Sequence, residues 1–213
     1  MTTILLIRHG ESEANREGFF AGQNDVKLLD KGLMQAEATA QFIKKSYKVD
    51  RIYSSDLIRA YDTALAVSRA TGLPVSCDER LREIYSGLWQ GMRFDDIIRD
   101  FGESYGVWLQ DIGNAVCDGG ESVRQLGERV MAALTDIAVK NDGSTVVIAT
   151  HATPIRAMQC IVSGLDLGEM KNIPWVSNAS VTELIFEDGK FHLGKVGQDV
   201  HLSGLRTVFP SNV

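Results

Sequence analysis

The stretch Thr3 to Ile7 is a run of β-branched and leucine side chains, the pattern of a strand buried on both faces. Such a strand needs helices on either side of its sheet. Similar runs recur at Arg51 to Ser54 and Ser144 to Thr150, and helical patterns fill the intervals. Asp30 to Tyr47 carries Met34, Ala38 and Phe42 at the spacing of one face, and Leu57 to Thr71 ends on Gly72 and Pro74. From Glu121 to Val139, the residues Val123, Leu126, Val130, Leu134 and Ile137 fall on one side, which predicts a long amphipathic helix leading into the strand at 144.

Strands alternating with helices imply a three-layer α/β/α sandwich with a mainly parallel sheet. Ser180 to Phe186 and Lys190 to Val196 flank Glu187-Asp188-Gly189 and read as an antiparallel hairpin at the sheet edge. A single domain over residues 1–213 is expected. Residues 84–120 break the alternation and read as a helical lid insertion over one end of the sheet. Their aromatic set, Trp89, Phe94, Phe101, Tyr105 and Trp108, reads as packing rather than a base-stacking platform.

A formal charge of -6 argues against broad nucleic-acid binding, which needs clustered Lys and Arg. Any anionic ligand must then be held by a local pocket. Cys77, Cys117 and Cys160 are odd in number and lack CxxC spacing, so they read as reduced thiols. Met1 to Ile7 is too short, and too poor in flanking basic residues, for a signal peptide or membrane span; a cytoplasmic protein, monomeric or homodimeric, is expected.

In open α/β sheets ligands bind beyond the carboxyl ends of the strands. Three segments place reactive side chains there: Arg8-His9-Gly10, Ser54-Ser55-Asp56 with Arg59, and His151 directly after STVVIAT. Two arginines and two histidines converging on one crevice suit a compact dianion, and a phosphate better than a lone carboxylate. Gly10 is expected to let the backbone turn close to the ligand, and helix starts near Glu11 and Leu57 to add N–H donors. Taken singly, Arg59 would serve as an ion-pair partner of Asp56 or Asp62 and Glu83 as a solvated charge, while His192 and His201 read as structural. A metallohydrolase would need ligand sets such as HxH or HxxxH, and none occurs.

Four segments, RHGESEAN, SSDLIRAYDTA, LREIYSGLWQG and THATPIRA, together resemble the motifs of the histidine phosphatase superfamily, also called phosphoglycerate mutase-like proteins. They arrive in order and span the chain from Ile4 to Leu202. The resemblance implies that His9 is the nucleophile that takes the phosphoryl group, and that Arg8, Arg59 and His151 hold its oxygens. It implies that Glu83 protonates the leaving oxygen and then activates water, with Asn15, Gln23 and Ala152 as further substrate contacts and no metal or cofactor. Two departures stand out: Lys27 and Leu29 replace the usual Pro and Thr before the second helix, where Asp30 is expected to cap instead, and Ala152 and Thr153 replace two glycines after the second histidine.

Within that family the division lies between phosphatases and mutases. Family mutases hold a second phosphate with a longer, basic insertion, whereas here 67 residues separate Glu83 from His151. Arg93 and Arg99 are the only basic residues of the insertion, set among Asp95, Asp96 and Asp100. The expectation is therefore hydrolysis of a phosphomonoester, with mutase activity as the alternative and a non-catalytic phosphate-binding module as a third reading. The compact pattern is similar to bacterial broad-specificity phosphatases and α-ribazole phosphatase. Trp89, Phe94 and Trp108 are expected to tolerate an apolar leaving group.

Overall fold

A computed structural model describes residues 1–207, so the last residues of the expected single domain, 208–213, lie outside the described range. In chain order the elements are β1 (Thr2–Arg8), α1 (Glu13–Glu17), α2 (Asp30–Ser46), β2 (Arg51–Ser54), α3 (Ile58–Thr71), β3 (Val75–Cys77), α4 (Phe94–Asp100), α5 (Gly102–Gln110), α6 (Val123–Lys140), β4 (Thr145–Thr150), α7 (Ala152–Val162), β5 (Val181–Glu187) and β6 (Lys190–Leu193). The strands form one six-stranded sheet in the order β3-β2-β4-β1-β5-β6. Pairing is parallel from β3 through β1 and antiparallel for β5 and β6, which gives the expected mixed sheet with an antiparallel edge.

Because side chains alternate across a strand, each apolar run serves two cores at once. Leu5, Ile7, Val147 and Ala149 pack with Ala36, Ala40 and Ile43 of α2 and Ala64 and Val67 of α3. Ile4, Leu6, Val146 and Ile148 face α6 and α7, where Val123, Leu126, Val130, Leu134 and Ile137 are all buried as the periodicity predicts. Helix α6 starts on Ser122, whose hydroxyl accepts from the Gln125 amide at 3.1 Å in a capping box. At the hairpin, Asp188 and Gly189 both take positive φ, so the turn holds two residues and Glu187 pairs with Lys190. Among the described residues no helix is long and apolar enough to cross a membrane.

Several sequence-based expectations need correction. In α2 the buried face is Gly32, Gln35, Ala36, Thr39, Ala40 and Ile43, while Met34 is 52% exposed and Phe42 half-buried. Small residues win that face because the helix approaches the loop after β1 at backbone distance. A Cβ on Gly10 would lie 2.4 Å from the Gly32 carbonyl oxygen, and one on Gly32 would lie 2.1 Å from that of Glu11. The glycine at position 10 is thus required by the close approach of this helix. Leu29 occupies the N-cap of α2 without a side-chain bond, and Asp30 sits inside the first turn, where its charge favours the helix dipole but caps nothing. Strand β3 was not foreseen, because three residues behind Pro74, two of them exposed, leave no apolar run to read.

Between Glu83 and α6 the chain forms α4, α5 and short 3-10 turns around an aromatic cluster. Phe20, from the loop after α1, meets Trp89 at 5.7 Å and Trp108 at 5.1 Å edge to face, and Trp89 meets Tyr105 at 5.5 Å. Trp89 is fully buried and its indole N–H donates to Asp118 at 3.1 Å. These rings are a core, as expected. Gly32→Ala should lower stability by about 1–3 kcal/mol through overpacking, read as a reduced urea midpoint at unchanged slope.

Candidate active site

The parallel register brings the ends of three strands level, with Arg8 opposite Thr150 and Ser54 opposite Ala149. His9, Ser55 and His151 therefore follow their strands into one crevice. The rings of His9 and His151 lie 5.2 Å apart, and Arg59 enters from the first turn of α3. All four charged or titratable side chains are nearly sealed from water: Arg8 is 6% exposed, His9 5%, Arg59 1% and His151 0%.

Backbone carbonyls hold the arginines. Arg8 donates to Val176 at 2.6 Å, while Arg59 donates to Asn24 at 2.8 Å and Gly22 at 2.7 Å. Burial draws both guanidinium groups down to about 10, against the pull of Glu83, and both remain charged at neutral pH. Among the described residues, Glu83 acts on both cations and Asp25 on Arg59 as well, and a cluster of two buried guanidinium groups suits an anion.

The same environment keeps the imidazoles neutral. Burial, then Arg59 and Arg8, hold His9 well below the ordinary histidine range; burial, Arg59 and His9 do the same to His151. His9 Nδ1 lies 2.7 Å from the Gly10 carbonyl. A carbonyl only accepts, so Nδ1 carries the proton and Nε2 presents its lone pair. His151 Nε2 lies 2.9 Å from the Ser55 hydroxyl, and its Nδ1 is buried without a partner among the described residues.

Glu83 reaches the pocket from a segment tied down at its backbone. Its carbonyl accepts from Gln23 Nε2 at 3.1 Å and from Arg129 at 2.9 Å. Arg129 also donates to the carbonyls of Arg80 and Arg82 and to Glu121, which in turn accepts from the Tyr85 amide. The Glu83 carboxylate accepts from the Ile84 amide at 2.9 Å and the Thr153 amide at 3.4 Å.

Arg8, His9, Asn15, Arg59, Glu83 and Ala152 all line a pocket of about 200 Å³. Asn15 Oδ1 accepts from the Ser12 amide, the Ser12 hydroxyl and Asn178 Nδ2, which leaves its own N–H donors for a ligand. Gln23 does not line this pocket, because its amide is committed to the Glu83 carbonyl. The helix starts near Glu11 and Leu57 are also committed: the amides of Glu11, Leu57 and Ile58 donate to Gln35, Ser55 and Asp25. Instead α7 brings its N-terminus to the pocket, with Ala152 and Thr153 in its wall. Asp56 pairs with Arg82 rather than Arg59. Nothing in the local sequence marks Arg129, Asn178 or Trp175, each brought to the site from a distant segment.

Since both imidazoles titrate below their unfolded value, the unfolded chain takes up protons that the native chain refuses once pH falls through about 6.5. Stability should decline from pH 7.5 to 5.5 in urea unfolding, and His9→Gln should make that decline shallower.

Comparison with known proteins agrees with this geometry. The profile described as histidine phosphatase superfamily (branch 1) matches residues 4–199. Phosphoserine phosphatase 1 of Hydrogenobacter thermophilus is 33% identical over 202 residues, 95% of each chain. The metal-independent phosphoserine phosphatase of Arabidopsis thaliana is 32% identical over 96% of this chain and 85% of that protein. Among solved structures, YhfR of Bacillus stearothermophilus superposes with a TM-score of 0.91 at 29% identity, over 95% of this chain and 100% of that one. With Arg8, His9, Arg59 and Glu83 lining one pocket, the fully buried His151 ring 5.2 Å from that of His9, and the match running through all of them, this chain belongs to the histidine phosphatase superfamily and is a phosphatase.

Proposed function

We propose that the protein hydrolyses small phosphomonoesters in two steps through a phosphohistidine on His9. The observation that carries this reading is the 2.7 Å bond from His9 Nδ1–H to the Gly10 carbonyl, which leaves Nε2 as a neutral nucleophile between two arginines. In the first step Nε2 bonds to phosphorus, the ester P–O bond breaks, and Glu83 gives its proton to the departing oxygen. In the second step water attacks phosphorus, Glu83 takes the water's proton, and the P–N bond breaks to release inorganic phosphate and His9. Arg8 and Arg59 neutralise the equatorial oxygens throughout.

His151 joins them through Nδ1, since Ser55 engages its other nitrogen. A bound dianion favours its protonation. Asn15 adds an N–H donor and Ala152 the start of α7. Gln23 contributes by holding the Glu83 backbone rather than by touching phosphate. The positive charge that a metal ion would supply comes from the two guanidinium groups. On this reading residues 84–120 form a lid insertion within one catalytic domain, and the free thiols of Cys77, Cys117 and Cys160 suit the cytoplasm.

Hydrolysis is preferred over isomerisation because Arg8 and Arg59 are the basic side chains among the described residues that line the pocket, and both serve the first phosphoryl group. A second phosphate finds no cation of its own. Phosphoserine, which names two of the relatives, is one ester to test. His9→Ala should abolish phosphate release from p-nitrophenyl phosphate and the acid-labile phosphoenzyme that rapid quenching of the wild type traps. Glu83→Gln should slow turnover about 10² to 10⁴-fold, with an altered pH–rate profile. Incubation with 3-phosphoglycerate should yield free phosphate; accumulation of 2-phosphoglycerate would overturn the hydrolase reading.

A further inference from the structure

We propose that the ester taken by this pocket carries an uncharged, apolar leaving group of ring size, lodged between Phe94, Trp108, Leu109 and Trp175. The inference rests on the phosphatase reading above and narrows its substrate class. Among the described residues, the charged side chains lining the pocket are Arg8, Arg59 and Glu83, and all belong to the phosphoryl end. Beyond them the lining is aromatic and aliphatic, with polarity confined to uncharged groups such as Tyr105 and Thr153.

The composition of that wall decides between kinds of alcohol. Phosphoserine and 3-phosphoglycerate both carry a carboxylate on the leaving group. Here that carboxylate would lose water against ring faces that are themselves electron-rich, with Glu83 as a charge of like sign and, among the described residues that line the pocket, no cation beyond the two at the phosphoryl end. An apolar ring instead gains by leaving water for the same surface. Expectation from sequence placed Trp89 in this wall, but Trp89 is wholly buried beneath it and supports Phe20 and Trp108 from behind.

Trp175 is the wall residue most clearly prepared for a ligand. It comes from the segment between α7 and β5, outside the aromatic cluster of the insertion, and is 37% exposed. The Arg156 guanidinium lies 4.2 Å from its ring centroid, and that arginine is anchored by the carbonyls of Ile173 and Lys171. One residue further on, the Val176 carbonyl accepts from Arg8 at 2.6 Å. The strand end that grips phosphate and the ring that would meet the leaving group are thus fixed by adjacent residues of one segment. Leu109, 53% exposed, completes an apolar rim across from it.

The test compares 2-phenylethyl phosphate with phosphoserine on the full chain. Both are primary alkyl esters, so the chemistry at phosphorus is matched and the wall is what differs. The expected result is a kcat/KM about ten- to a hundredfold higher for the phenylethyl ester, as burial of one ring predicts. Trp175→Ala should shrink that preference about three- to tenfold, with Leu109→Ala acting in the same direction; both positions are exposed enough for the variants to fold. Equal or better turnover of phosphoserine would overturn the inference while leaving the phosphatase reading intact. Failure to release phosphate from either ester or from p-nitrophenyl phosphate would overturn both.

Discussion

Two guanidinium groups sealed from water beside two neutral imidazoles are the arrangement to which the rest of the molecule is fitted. Removing two cations from solvent is costly unless their donors are used and their charge is answered. Carbonyl groups of Gly22, Asn24 and Val176 use part of the donor set, and so tie two remote loops to the first turn of α3 and the end of β1. Among the described residues, Glu83 answers both cations and Asp25 answers Arg59. Burial and the same cations keep both imidazoles neutral, which suits the nucleophilic role proposed for His9.

The sheet itself positions the two imidazoles. His9 and His151 each sit one residue past a strand whose side chains are buried on both faces, and the parallel register that sets Arg8 level with Thr150 brings the two rings side by side. His9 is further held by its amide on the Thr150 carbonyl and by Asn178 on its own carbonyl. The ring geometry of the site is therefore inherited from the hydrophobic core.

Much of this was readable in the chain before any coordinates. Runs such as Thr3 to Ile7 are too apolar to be anything but central strands, and Val123 to Ile137 keeps a strict helical period, so β1, β4 and α6 were legible to within a residue or two. The face of α2 was misread because two sets of residues satisfy the same period, and the choice between them was made by a backbone contact at Gly10 and Gly32 that only packing reveals. Side chains that follow strands into the crevice carried a local signal; those that reach it across the fold, Arg129, Asn178 and Trp175, carried none. The resemblance implied a substrate contact for Gln23, whose side-chain amide here donates to the Glu83 carbonyl.

Arg129 binds the backbone at Arg80, Arg82 and Glu83 to α6, not to α4 or α5. The residue read here as the proton carrier is accordingly moored to the framework, while the rings read as selecting the leaving group belong largely to a separate piece of chain. On the proposed reading, the choice of leaving group and the transfer of the proton fall to different segments, joined where the Gln23 backbone amide donates to Gln90.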